Sequence, residues 1–142
     1  MSDAQQYCSF MVGDLFLGVD VRRVQEVLRH QPMTGVPLAP PDLRGLINLR
    51  GQIVPAIDLR RRLGLDPAAA GAAPMNVVVR DADGPASLLV DEIGDVVSPD
   101  PASLEDAPPT LRGPVRELVA GVYKLDGRLM LVLDTERALA VA

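Results

Sequence analysis

The sequence predicts a mainly β fold: two similar small β-barrels sharing an apolar interface, with a few short helices. Three observations predict it. Short apolar runs are separated by two-residue turn signals at Gly13-Asp14, Asp83-Gly84 and Asp126-Gly127. Two proline-rich connections, at 31–43 and 99–114, leave no room for long helices. The second half of the chain also repeats the first.

The elements follow in order. Tyr7 to Val12 and Leu15 to Val19 form a hairpin across Gly13-Asp14, and Asp20 caps one helical turn through Arg23. Val24, Val27 and Leu28 mark a short segment that fits either strand or helix. Leu46 to Leu49 and Ile53 to Ile57 flank Arg50-Gly51-Gln52 as a second hairpin. Asp58 stands where a helix cap belongs, ahead of Leu59 to Leu63, and Gly64 stops that helix. Residues 66–74 are small and bounded by prolines, so they read as a loop between lobes. Met75 to Arg80 and Ala86 to Val90 then pair across Asp83-Gly84. Gly113-Pro114 reads as a break ahead of the last hairpin, Leu118 to Leu125 with Arg128 to Leu133, after which Asp134 caps a helix through Leu139.

A shift of 76 aligns Gly45 with Gly121, Leu49 with Leu125, Gly51 with Gly127, Asp58 with Asp134, Arg61 with Arg137 and Leu63 with Leu139. Earlier in each half, a shift of 72 sets Val21 and Val24 against Ile93 and Val96. Both halves run hairpin, strand, proline-rich connection, hairpin, short capped helix. This is a duplication into two barrels, each closing its own sheet to avoid open edges. A barrel of this size has little core of its own, which predicts a shared apolar seam.

Composition narrows the function. The chain has 142 residues, about one domain, with two Tyr, two Phe and no Trp. Four aromatics make a poor stacking platform, and the net charge of −5 argues against nucleic acid. One cysteine (Cys8) and one histidine (His30) exclude a mixed Cys/His zinc site and an internal disulfide. Asp58 and Asp134 resemble an acid dyad, but helix capping accounts for both. Asp91, Glu92 and Asp95 read as a solvated acidic face rather than a metal cluster. No metal or cofactor is implied. Residues 1–65 carry a net +2 and residues 66–142 a net −7, which fits two lobes with different partners or an ordinary surface. Met1 to Gln6 is polar and no apolar run nears 18 residues, so a soluble cytoplasmic protein without membrane insertion is expected.

Three segments carry a family resemblance. Gly45 to Arg60, reading GLINLRGQIVPAIDLR, resembles the hallmark of the CheW-like chemotaxis adaptor (coupling protein) family. Gly18 to Val27 is similar to its amino-terminal motif, and Leu89 to Val96 to its mid-domain motif. The likeness runs from Tyr7 to Leu139 and implies one domain over 1–142, made of two five-stranded Src-homology-3-like barrels. Their division falls at roughly 15–80 and the remainder, with strand exchange possible at the seam. It also implies a non-catalytic scaffold that is a monomer when free and is recruited to membrane receptor arrays. The implied partners are the cytoplasmic hairpin of methyl-accepting chemoreceptors and the regulatory domain of a CheA-type histidine kinase. An adaptor of a different chemosensory pathway, for surface motility or development, is the alternative.

By the same resemblance, Arg50 couples to the receptor, and Val24 and Glu26 bind a partner. Arg50 also suits turn stabilisation, and Val24 and Glu26 also suit a plain half-buried strand. Ile53 and Val54 are expected to line a groove between lobes, although either one alone suits core packing better, and Gly45 and Gly51 are expected to serve turn geometry. The alanine- and proline-rich 66–74 segment departs from the family pattern without touching these positions.

Overall fold

The computed structural model describes residues 5–69 and 71–140; the first four residues, Ala70 of the 66–74 loop and the last two residues lie outside it. In the first half, β1 (Tyr7–Val12) and β2 (Leu15–Asp20) form the opening hairpin. A 3-10 turn (Val21–Arg23) leads to β3 (Val24–Leu28), followed by β4 (Leu43–Leu49), β5 (Gln52–Asp58) and α1 (Leu59–Arg62). The second half repeats the order with β6 (Met75–Asp81), β7 (Gly84–Val90) and β8 (Glu92–Val97). It continues with β9 (Leu104–Glu105), α2 (Gly113–Leu118), β10 (Val119–Leu125), β11 (Arg128–Leu133) and α3 (Thr135–Leu139).

The strands form two sheets, ordered β3-β6-β7-β5-β4 and β8-β1-β2-β11-β10-β9. The sixth strand is the two-residue β9, paired at Val122↔Glu105. Its counterpart in the other sheet is the isolated bridge Thr34↔Leu46. The expected pair of five-stranded units is therefore present, each with a short extra contact. Each sheet takes strands from both halves of the sequence: β3 pairs with β6, and β8 with β1. Parallel pairs β5–β7 and β11–β2 complete the exchange. Among the described residues no ladder joins the end strands β3 and β4, so the expected closure of the five-stranded unit is not made by backbone bonds.

The pairing registers correct three details. Val24 pairs with Val79 as Ile93 pairs with Phe10, and Leu28 with Asn76 as Val97 with Tyr7. The early repeat therefore runs at a shift of 69 rather than 72, setting Val24 against Ile93 and Val27 against Val96. The β6–β7 turn is Ala82-Asp83, because Asp81 pairs with Gly84. Gly113-Pro114 opens α2 instead of breaking a helix, since proline at the first helical positions gives up only an N–H that would lack an intrahelical partner.

Alternation sorts the aliphatic side chains into three clusters. Odd positions Val77 and Val79 of β6 and even positions Leu88 and Val90 of β7 face the seam, where they meet Phe10, Leu17, Leu131 and Leu133. Their neighbours Val78 and Leu89 face inward, with Ile47, Leu49, Val54 and Ala56, as the five-stranded unit's own core. The six-stranded unit has a third cluster, Tyr7, Phe16, Tyr123 and Met130. Three of the chain's four aromatics are gathered there.

Gly45 has a steric role. A Cβ there would lie 2.7 Å from the Thr34 carbonyl oxygen, across the bridge that β4 makes with the connection. Its duplicate Gly121 would approach the Glu105 carbonyl at 3.0 Å. Gly45→Ala is expected to cost about 1–3 kcal/mol by forcing the connection away, read by urea denaturation. A cost near zero would show that the connection yields freely.

Candidate functional surface

The β4–β5 turn is Arg50-Gly51, with φ of 53° and 85°, the left-handed pair that a two-residue hairpin requires. Asn48 Oδ1 accepts the Gly51 amide at 2.9 Å and holds the turn. Arginine in this conformation is strained by about 1–2 kcal/mol relative to glycine. From this turn its guanidinium forms an ion pair with Glu26 of β3. This contact joins the turn beyond β4 to β3, so side chains bridge the two ends of the five-stranded sheet.

Glu26 is mostly covered while Arg50 is exposed. The Arg50 hydrogen bond lowers the Glu26 carboxyl below its ordinary range. Gln25 Nε2 donates to Glu26 at 3.4 Å and its Oε1 accepts from Arg80 at 3.1 Å, extending the polar run to β6. Beside these groups in sequence stand two exposed apolar side chains, Val27 and Ile53; Ile53 is 58% exposed. Val27 and the Arg50–Glu26 pairing were not anticipated from sequence, though β3 places Val27 directly after Glu26.

The other expected positions separate. Val54 is fully buried in the five-stranded unit's core, so it packs rather than lining a groove. Strand alternation requires this, since Ile53 points outward and its neighbour must point in. Val24 is half-buried against the seam core. A Cβ at Gly51 would meet nothing within 4 Å, which leaves turn geometry as its role.

Asp58 and Asp134 accept the amides of Arg61 and Arg137 at 3.2 and 3.1 Å, as helix caps do. A cleft of about 500 Å³ is lined by Arg44, Asp58, Arg60 and Asp91, which pair as Arg44–Asp58 and Arg60–Asp91. No group of metal-binding side chains occurs among the described residues, and no helix there is long and apolar enough to cross a membrane. Charge divides by sheet despite the strand exchange. Residues 24–90 carry seven basic and six acidic groups, and the remainder seven and thirteen.

Asp20 anchors the start of the 3-10 turn. Bonds from Arg22, the backbone amide and Gln5 converge on it, and the Arg22 guanidinium foremost pulls its carboxyl down to about 2. A folded value below the unfolded one, about 3.9, contributes stability fully present above about pH 4 and lost as pH falls toward 2. Asp20→Asn is expected to flatten the acid limb of the stability curve in that window, measured by urea titration. An unchanged acid limb would remove Asp20 from it.

Comparisons with known proteins agree with this fold. The CheW-like domain matches residues 6–142. A probable chemotaxis protein CheW of Rhizobium etli is 29% identical over 132 residues, covering 93% of this chain and 85% of its own length. Protein FrzA of Myxococcus xanthus is 40% identical over 67 residues, covering 47% of this chain and 42% of its own. The crystal structure of scaffolding protein TtCheW from Thermoanaerobacter tengcongensis superposes with a TM-score of 0.87 at 28% identity, covering 97% of this chain and 94% of that one. With its duplicated sheets and a domain match over nearly its whole length, the chain belongs to the CheW-like domain family and is a chemotaxis adaptor, a scaffold rather than an enzyme.

Proposed function

We propose that this adaptor couples the cytoplasmic hairpin of a methyl-accepting chemoreceptor to the regulatory domain of a CheA-type histidine kinase, in the cytoplasm at membrane receptor arrays. The observation that carries the reading is the strained Arg50, held exposed in an ion pair with Glu26, with the exposed Ile53 on the strand that leaves the same turn. An exposed guanidinium and an exposed aliphatic side chain on one hairpin are the residue types that anchor interfaces. Arg50, Glu26 and Ile53 are the adaptor's contact residues, and Val24 supports the strand from beneath. Val54 acts only through the fold.

The test is co-purification of the intact chain with a receptor signalling fragment and, separately, with a kinase regulatory domain. Binding to both is expected, and Ile53→Asp is expected to weaken at least one about tenfold. Binding to neither would overturn the reading. The half-length likeness to FrzA supports a second reading, an adaptor of a different chemosensory pathway. Preference for that pathway's kinase in the same assay would favour it.

A further inference from the structure

The duplication places two crossovers between the sheets. Asp91 joins β7 to β8, and Val21–Arg23 joins β2 to β3. Position 60 of α1 corresponds to 136 of α3, and positions 91 and 92 correspond to 22 and 23. Each crossover therefore meets a charged residue from the helix after the parallel strand, with the signs exchanged: Arg60 with Asp91, and Glu136 with Arg23.

The two pairs are built differently. Arg60 forks onto Asp91 with Nε–Oδ1 of 3.1 Å and Nη2–Oδ2 of 2.9 Å. Those side chains are 23% and 29% exposed. Asp91 Oδ2 also accepts the Gly13 amide at 2.6 Å, from the β1–β2 turn of the other sheet. The Asp91 amide donates to the Met11 carbonyl at 2.9 Å, and Arg60 Nη1 to the Asp66 carbonyl at 2.6 Å. One carboxylate thus gathers α1, the crossover and the facing turn. Gly13 lies close, since a Cβ there would meet Leu65 at 3.3 Å and Arg60 Nη2 at 3.8 Å. Arg23 and Glu136 instead meet at 3.5 Å, with side chains 44% and 73% exposed. Arg22 also forks onto Asp20, with the Arg22 amide as a further donor, but that fork ties the turn only to the end of its own strand β2. Forked pairs with an added backbone donor from the facing sheet hold the two sheets in place, whereas exposed single contacts hold little.

We infer that the crossovers differ in stiffness: the Arg60–Asp91–Gly13 clasp makes Asp91 the fixed pivot between the two sheets, and Val21–Arg23 is the compliant crossover. Relative movement of the sheets turns about Asp91 and shows at Val21–Arg23, which leads straight into β3 and Glu26. The use of that movement in signalling rests on the adaptor reading; the pivot does not.

Amide hydrogen exchange on the intact chain, without partners, tests it. The Gly13 and Asp91 amides are expected to exchange more slowly than the Val21 amide, although Val21 also donates, to Gln6 at 3.0 Å. Arg60→Ala leaves the acceptors of Gly13 and Asp91 in place, so purely local hydrogen bonds would survive it. The pivot predicts about tenfold faster exchange at both. Arg60→Lys keeps the charge without the fork, and is expected to move both in the same direction; it decides the matter if Arg60→Ala fails to fold. Glu136→Gln is expected to leave Val21 within about twofold. A folded Arg60 variant with Gly13 and Asp91 unchanged would overturn the inference. So would Glu136→Gln opening Val21 as far as the Arg60 variants open Gly13. A chain that binds neither receptor nor kinase would lose the adaptor reading with these exchange rates intact.

Discussion

Leu88→Ala is expected to lower the unfolding free energy by about 3 kcal/mol, within the usual range for a fully buried leucine. Leu88 lies in the middle of β7, opposite Val77 on one side and Ile57 on the other. Its side chain is fully buried at the seam, where both sheets contribute neighbours. The truncation removes apolar contact and leaves a cavity that two strand-exchanged sheets cannot collapse independently. One cooperative transition with a lower urea midpoint is the expected result. Ile53→Ala, at an exposed site, should shift stability by less than about 0.5 kcal/mol. A cost below about 1 kcal/mol at Leu88, or two separate transitions, would contradict a single shared core.

Arg50→Gly is expected to separate stability from binding. Glycine relieves the left-handed backbone, worth about 1–2 kcal/mol. Against that stands an ion pair whose arginine is exposed, and such pairs typically contribute less than about 1 kcal/mol. Stability should therefore hold or rise slightly, while co-purification with the partner falls about tenfold or more. Arg50→Lys keeps a charge but not the planar fork, and should recover only part of the binding. A glycine variant that binds like the parent would remove Arg50 from the interface. One that is destabilised by more than about 1 kcal/mol would instead make Arg50 a structural turn residue.

The legible part of this fold was its local part. Two-residue turns, aspartate caps and proline-rich connections act within a few residues, so the hairpins and the short capped helices appear where the chain announces them. The ambiguous segment after Arg23 resolved as β3 because β6 lies alongside it, a partner some fifty residues away. The site was partly legible on the same terms. Glu26 and Arg50 were each recognisable, but their contact spans 24 positions and depends on how β3 meets the turn. Ile53 and Val54 were read as a pair, and strand geometry divides them.

By itself, the sequence determined the β class, the duplication, the aliphatic core composition, the family likeness and the scarcity of catalytic groups. Only the tertiary structure decided that each sheet borrows strands from both halves, that the early repeat runs at 69, and that Asp91 is a clasp residue rather than part of a solvated acidic face. The physical reason is one of range. Turn and capping preferences are paid within a few residues, whereas strand partners and ion pairs depend on which distant surfaces burial of the seam brings together.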